Sequence, residues 1–273
     1  MNIIKFIESF TNEGLLNAKG SRRDSFSQFG KLGSNAAMAA LPLGIGGLFL
    51  GSQKANAATS ASFMAAQTPT EALQLALTLE YLEDEFYQMG LDTNGLIPSS
   101  DQATMAKISQ HESQHVDFLL AALGNDAIDK PNFDFTVGGT FDTWTNYETF
   151  LALAQAFEDT GVRAYKGQAG NLISQPDLLQ AALQIHSVEA RHAAQVRRLR
   201  GQKGWIVGNN RGGLPEAAQP VYDGEENAMQ LGFNTSMVSA TNGPAIPSGA
   251  GAESYDEPLT GAQATSIASL FIV

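Results

Sequence analysis

Histidine and glutamate stand at metal-binding spacing in the segment from His111 to His115, which reads His-Glu-Ser-Gln-His. On a helix, the pattern H-E-x-x-H can hold a zinc ion between two histidines, with the glutamate as general base of a metalloprotease. The segment also contains a shorter unit, Glu112 and, three residues later, His115, and this unit occurs again as Glu189 and His192. The chemistry of the segment therefore depends on which of its residues have partners elsewhere in the chain.

The E-x-x-H unit belongs to a longer internal repeat. Glu80 and Tyr87 recur 78 residues later as Glu158 and Tyr165, and the two E-x-x-H units lie 77 residues apart. Each half of the repeat thus contains a glutamate followed, in a later segment, by an E-x-x-H unit. Two helical hairpins that carry the same polar residues predict a four-helix bundle with approximate twofold symmetry.

These acids and histidines occupy positions that helical periodicity assigns to the interior, between apolar residues spaced three and four apart. A buried, unpaired carboxylate is strongly destabilising, so four of them would not gather in one core without compensation. Two divalent cations would supply it, with bridging carboxylates and with each histidine as a neutral terminal ligand. A core held by Glu–His hydrogen bonds alone is the alternative. The predicted ligands are Glu80, Glu112, His115, Glu158, Glu189 and His192.

The zinc-protease interpretation requires His111 and His115 to face one ion together with a third ligand downstream. At helical spacing His111 lies about 40° from His115, on the flank of the apolar stripe. Phe118 and Ala121 stand where the longer metzincin motif has glycine and histidine. The sequence therefore favours a binuclear site, with His111 and His186 as flanking residues or as partners that orient a ligand.

Four long helices are predicted, and the predicted fold class is all-α. Proline at helix starts, glycine after helix ends and apolar periodicity place them at 69–89, 101–123, 143–167 and 176–200. The first and third connections are short, whereas about eighteen residues join helices two and three. A short, a long and a short connection, in this order, are typical of two antiparallel helix pairs joined by a crossover. The tail that follows is predicted to be irregular and to close with a short helix at 261–271.

Composition limits the cofactors and partners. The 273 residues include no cysteine, which excludes disulfides, thiolate metal sites and iron–sulfur clusters, so any metal must bind to histidine and carboxylate. The formal charge of −12 repels nucleic acid and anionic lipid and would attract metal cations. The alternative is that the charge only reflects an acidic exported protein, which needs no cation partner. We therefore expect no nucleic-acid partner.

Residues 1–57 are predicted to be an export signal. Two arginines at 22–23 precede an apolar run at 36–51, and Ala-Asn-Ala at 55–57 forms an A-x-A cleavage site. The paired arginines resemble a twin-arginine signal, but Ser25 stands where phenylalanine is usual, and a general secretory signal is the alternative. Because the apolar run is a poor membrane span, we expect an exported, periplasmic or extracellular protein with no stable membrane insertion after cleavage.

On the doubled glutamate and E-x-x-H pattern, residues 66–200 resemble a ferritin-like domain. The paired-arginine leader, the segment Leu-Thr-Leu-Glu-Tyr-Leu-Glu at 77–83 and the ending Asp-Glu-Pro-Leu-Thr at 256–260 make the chain similar to exported bacterial ferritin-like proteins akin to plant desiccation-related proteins. The resemblance implies a ferritin-like four-helix bundle at 58–203, with a long crossover between helices two and three, and an irregular C-terminal extension at 204–273 that packs on it.

The resemblance also implies two metal ions, in the first place iron, that react with O2 or H2O2 as in ferroxidases, oxidases and the peroxide scavengers that act in oxidative stress. Manganese held by the same ligands would give a catalase, and a non-enzymatic stress-protective or structural protein is the third alternative. The absence of cysteine excludes the electron-delivery module of rubrerythrins. Nothing marks a subunit of a ferritin cage, and a homo-oligomer stays open.

Three further residues are expected beside the metal ions. In ferritin-like sites a tyrosine one heptad after the first-helix glutamate often hydrogen-bonds a ligand carboxylate, and Tyr87 and Tyr165 stand at that spacing. Core filling is the alternative role, and the burial tendency of tyrosine favours it. Glu83 would be an additional carboxylate ligand, but its counterpart in the repeat is Gly161, so the repeat does not support this role.

Overall fold

Four long α-helices dominate the part of the chain that a computed structural model describes, residues 68–237 and 247–273. The predicted export signal lies outside the described residues. Within them, no helix is both long and apolar enough to cross a membrane. The helices confirm the predicted all-α fold and are α1 (Pro69–Asp92), α2 (Gln102–Leu123), α3 (Tyr147–Gln168), α4 (Pro176–Leu199) and a short α5 (Gly261–Ala268).

The start of the third helix was predicted four residues too early. Asn146 caps α3, because its side-chain oxygen accepts a hydrogen bond of 3.0 Å from the backbone N–H of Glu148. Thr143 is instead part of the crossover, where its hydroxyl donates to the Phe135 carbonyl at 2.6 Å. The crossover therefore comprises residues 124–146 and is longer than predicted. Some of its own side chains are buried and hold it against the bundle.

The predicted start of the first helix at Pro69 is correct, and a reciprocal cap explains it. The backbone N–H of Glu71 donates to the Thr68 hydroxyl at 3.2 Å, while the backbone N–H of Thr68 donates to Glu71 Oε2 at 2.7 Å. This capping box satisfies two backbone donors that a helix start leaves without partners.

Two apolar clusters fill the bundle on either side of a polar layer. Helix α1 lies against both α2 and α3, and α3 also lies against α4. In α2 the layer falls between Ile108 of one cluster and Leu119 of the other, and in α4 it falls between Ile185 and Val196. Since each fully buried aliphatic side chain contributes about 1.5–3 kcal/mol, these clusters stabilise the bundle strongly enough to tolerate a polar middle.

The segment after α4 runs along the outer side of α3 with little regular structure. Its described residues include a hairpin, in which Met229–Gln230 (β1) pairs antiparallel with Phe233–Asn234 (β2), and its last helix is α5. A Cβ atom added to Gly167 of α3 would lie 1.8 Å from the Leu259 carbonyl oxygen, so only glycine permits this approach of the two backbones. The extension thus contacts the bundle directly through main chain.

Candidate metal centre

The six predicted ligands lie together in the polar layer of the bundle. Each of the four long helices contributes one glutamate, and α2 and α4 each add the histidine of their E-x-x-H unit. All four glutamates have no exposed surface, and the histidines are 8% and 5% exposed. The residues in helix order are Glu80, Glu112 with His115, Glu158, and Glu189 with His192.

The donor atoms form two overlapping groups, within each of which one ligand atom per residue lies within 4.8 Å of the others. Glu112 and Glu189 belong to both groups, whereas each remaining residue belongs to one. Two adjacent cation positions with two shared carboxylates would use every donor. The groups are Glu80, Glu112, His115 and Glu189, and Glu112, Glu158, Glu189 and His192.

The Nδ1 atom of each histidine points into the carboxylates. His115 Nδ1 lies 3.1 Å from Glu80 Oε2, 3.0 Å from Glu112 Oε2 and 3.0 Å from Glu189 Oε1. One imidazole N–H cannot serve three acceptors. His192 Nδ1 lies 2.7 Å from Glu112 Oε1, but these two atoms are not aligned as a hydrogen bond. Hydrogen bonds between Glu and His therefore leave the cluster incompletely satisfied.

The chemistry of the donors fits a pair of divalent cations. Five buried ligand atoms have no hydrogen-bond partner among the described residues, which is strongly destabilising unless something else binds them. Two divalent cations would balance the four carboxylates, and mixed carboxylate and imidazole donors suit iron, manganese and zinc. The atoms are Glu112 Oε1, Glu158 Oε2, Glu189 Oε1, Glu189 Oε2 and His192 Nδ1.

Tyr87 and Tyr165 support the two glutamates that are not shared. The hydroxyl of Tyr87 donates to Glu158 Oε1 at 2.5 Å, and the hydroxyl of Tyr165 donates to Glu80 Oε1 at 2.5 Å. Both rings are buried, so filling the core and holding a carboxylate are combined in one side chain. The two bonds cross between α1 and α3, so each tyrosine holds the glutamate of the opposite helix.

Glu83 lies beside the two groups without joining either. Its side chain is 2% exposed, and its Oε2 atom has no hydrogen-bond partner among the described residues. Burial and then the charge of Glu189 raise the pKa of Glu83 well above its usual value. A Cβ atom at Gly161 would lie 3.3 Å from Glu83 Oε1. The Glu83 carboxyl therefore occupies the space that a side chain at position 161, its counterpart in the repeat, would need.

The remaining two histidines lie outside both groups. His111 packs on the outer side of His192, with the ring centroids 5.2 Å apart and 15° between the ring planes. His186 is half-buried, and burial and then the charge of Lys166 lower its pKa. The protease interpretation requires His111 and His115 to bind one ion together. Only His115 belongs to a group of possible ligands, so the structure does not support that interpretation.

A buried ion-pair network next to the centre was missed in the sequence. Arg197 is 3% exposed and its Nε donates to Asp159 Oδ1 at 3.1 Å, while the Tyr222 hydroxyl donates to Asp159 Oδ2 at 2.8 Å. In the sequence, basic residues near the end of a helix such as Arg197 are explained by the helix terminus alone. An acid at 159, directly after the predicted ligand Glu158 in an apolar helix, was the available signal for a buried partner.

Without metal, the cluster retains protons at neutral pH. Burial alone would lower the pKa of His115, but the close carboxylates of Glu112, Glu189 and Glu80 outweigh it and raise that pKa to about 12. Burial would also lower the pKa of His192, but the charge of Glu158 and the nearby carboxylates of Glu112 and Glu189 raise it. Burial, followed by the charge of Glu189, raises the pKa of Glu112 to about 7. Metal must displace these protons, so metal affinity should rise with pH.

The metal-free protein should lose stability as the pH rises from 5 to 8. Glu112 is raised from 4.5 to a pKa of about 7, so above pH 4.5 unfolding releases a proton that the folded state holds. His115, raised from 6.5 to a pKa of about 12, acts in the same direction above pH 6.5. Glu189, lowered to a pKa of about 2, opposes this trend only below pH 4.5. Melting temperatures of chelator-treated protein at pH 5, 6, 7 and 8 measure the trend.

A Glu112→Gln variant is the control for this pH profile and should decline less steeply. Part of the decline should remain, because burial also raises the pKa of Glu225 to about 7 despite the charge of Arg163. A flat profile of the unsubstituted protein, or a melting temperature that rises with pH, would contradict the prediction.

Comparison with known proteins agrees with this geometry. Residues 68–202 match the model of a family described as "Ferritin-like domain". The matched range begins at the cap of α1 and ends just after α4, so it contains all six clustered residues. No curated protein matches the chain.

Proposed function

Because residues 68–202 form a ferritin-like domain, we propose that this domain binds two metal ions, in the first place iron, and that the protein oxidises Fe2+ with O2 or H2O2. The observation that carries the proposal is the pair of overlapping, fully buried four-residue groups that share Glu112 and Glu189. An isolated group of acids is common without a metal, whereas two groups with shared carboxylates match the donor pattern of a binuclear centre.

Each residue of the centre has a separate task in this proposal. Glu112 and Glu189 keep the two cation positions adjacent. In both Glu80 and Glu158 the Oε1 atom accepts a hydrogen bond from a tyrosine hydroxyl. Their Oε2 atoms therefore face the histidines, His115 beside Glu80 and His192 beside Glu158. Glu83 is buried next to these carboxylates, and burial and then the charge of Glu189 raise its pKa in the metal-free protein.

Bound iron would supply the electrons for the proposed reaction. Two Fe2+ ions held by the six residues would each supply one electron, so that two Fe2+, one H2O2 and two protons would give two Fe3+ and two H2O. Carboxylate oxygens suit this change because hard donors stabilise the higher charge of Fe3+. Complete burial of the four glutamates excludes bulk water from the reacting atoms and strengthens their electrostatic interactions.

Anaerobic loading of the metal-free protein with Fe2+, followed by O2 or H2O2, tests the proposal. We expect two Fe2+ per chain, a near-ultraviolet absorbance after oxidation, and oxidation faster than in buffer alone. Asp117→Asn is the matched control, because Asp117 is exposed on the same helix as Glu112 and His115. It should leave stoichiometry and rate unchanged.

Other outcomes of this experiment identify the alternatives. Oxygen evolution from H2O2 by manganese-loaded protein, without turnover of Fe2+, would favour the catalase alternative. Two bound ions with no turnover of either kind would favour a stress-protective or structural protein. Failure to bind any divalent metal would overturn the metal centre itself.

Export is a separate part of the proposal and is supported by the sequence of residues 1–57. The arginine pair at 22–23 and the A-x-A site at 55–57 favour cleavage before Ala58 after export of the folded protein. N-terminal sequencing of protein recovered from the periplasm or medium should therefore begin at Ala58. Recovery of the whole protein from the cytoplasm with residue 1 intact would contradict it.

A further inference from the structure

The two halves of the centre differ at one histidine, which the repeat does not duplicate. Nδ1 of His111 lies 2.9 Å from Nε2 of His192, and the two ring planes are inclined by only 15°. Counted along the repeat, the counterpart of His111 is Val188, which has no polar side-chain atom. We propose that His111 is a positioning residue that fixes the ring of His192 and makes the metal position beside Glu158 bind more tightly than the position beside Glu80.

The direction of the His111–His192 hydrogen bond follows from the atom that must bind metal. A metal-binding imidazole nitrogen carries no proton, so a neutral ligand histidine has its N–H on the other nitrogen. His192 Nδ1 faces Glu112 Oε1 at 2.7 Å and Glu158 Oε2 at 3.4 Å, so Nδ1 is the ligand atom and Nε2 carries the proton. Nε2–H of His192 therefore donates to His111 Nδ1.

This hydrogen bond restricts both the tautomer and the rotation of the His192 ring. A ligand held in its binding geometry loses less freedom when metal binds, and removal of such an outer partner typically weakens metal binding about 10–100-fold. Val188, at the repeat position that corresponds to His111, cannot hold His115 in this way. The binding energies of the two positions should therefore differ, although their donor sets are alike.

The first histidine of the H-E-x-x-H string thus acquires a role that the string does not suggest. It supports the E-x-x-H unit of the other half of the repeat, on α4, rather than the unit that overlaps it in the sequence. The inference rests on the proposed function, since it requires metal to bind at both positions.

Anaerobic titration with Co2+, followed by visible absorption and chelator competition, tests the inference. We expect two Co2+ per chain with resolved affinities. His111→Val, which copies the other half of the repeat, should weaken the tighter site about 10–100-fold and leave the weaker site unchanged. His111→Asn keeps an acceptor near the place of Nδ1 and should restore most of the affinity. A role in packing alone would predict no rescue by asparagine.

Two double variants identify the affected position. In a Glu158→Gln background, where the tighter position is already damaged, His111→Val should have little further effect. In a Glu80→Gln background it should keep its full effect. Equal weakening of both positions, or no change in either, would overturn the inference while two Co2+ still bind. Absence of Co2+ binding to the unsubstituted protein would overturn the proposed function and the inference together.

Discussion

Replacing Glu112 by glutamine should remove binding at both metal positions and at the same time stabilise the metal-free protein. Glu112 belongs to both groups of ligands, so its loss affects both cations, whereas Glu80→Gln and Glu158→Gln should each weaken one. Without metal, the pKa of about 7 shows that ionised Glu112 disfavours the folded state. A neutral side chain of the same shape relieves this penalty, which amounts to about 3 kcal/mol above pH 7.

The opposite signs of the two effects make this prediction specific to a metal centre. Metal at a thousand times its dissociation constant stabilises a protein by about 4 kcal/mol, which corresponds to a rise in melting temperature of about 10 °C for a domain of this size. Thermal unfolding with Mn2+ and with chelator measures both effects. The unsubstituted protein should show the rise, and Glu112→Gln should lose it while melting higher in chelator.

Asp117→Asn again serves as the matched control and should behave like the unsubstituted protein in both conditions. A Glu112→Gln protein that melts lower with and without metal would indicate that Glu112 is needed for packing. Retention of two tightly bound ions by this variant would exclude Glu112 as a shared ligand.

Replacing Arg163 by methionine should destabilise the protein by about 3–5 kcal/mol whether or not metal is present. Arg163 is 1% exposed, its Nε lies 2.8 Å from Glu225, and it donates to backbone carbonyls of the extension, including that of Asp223 at 2.8 Å. Because Glu225 is itself 2% exposed, methionine would leave a buried carboxylate and several carbonyls without their donor.

A second substitution separates the ion pair from the backbone contacts. Arg163→Met/Glu225→Met removes both charges, so it should recover part of the stability lost by Arg163→Met alone. Urea unfolding gives the free energies, and limited proteolysis of the folded variants reports whether the extension detaches. A loss below about 1 kcal/mol for Arg163→Met, or equal losses for both variants, would contradict the assigned role of this pair.

The helices and the clustered residues were accessible from sequence because both depend on short-range periodicity. Apolar residues at spacings of three and four define which face of a helix is buried, and polar residues on that face are conspicuous. The internal repeat then selects Glu80 and Glu158 over neighbouring acids such as Glu83. The start of α3 was placed too early because apolar periodicity does not specify which residue caps a helix. The structure shows that Asn146 is the cap and that the Thr143 hydroxyl instead bonds the Phe135 carbonyl in the crossover.

By itself, the sequence determined that the bundle is all-helical, that six acids and histidines fall on core-facing positions, and that any metal ion would have to bind without thiolate ligands. Only the tertiary structure decided the pairings: Tyr87 with Glu158 rather than Glu80, His111 with His192, and Arg163 with the C-terminal extension. These residues are separated by more than fifty positions, and their distances depend on the rotation and offset of packed helices. Local sequence pattern specifies which side chains turn inward, whereas the packing of whole elements specifies which of them meet.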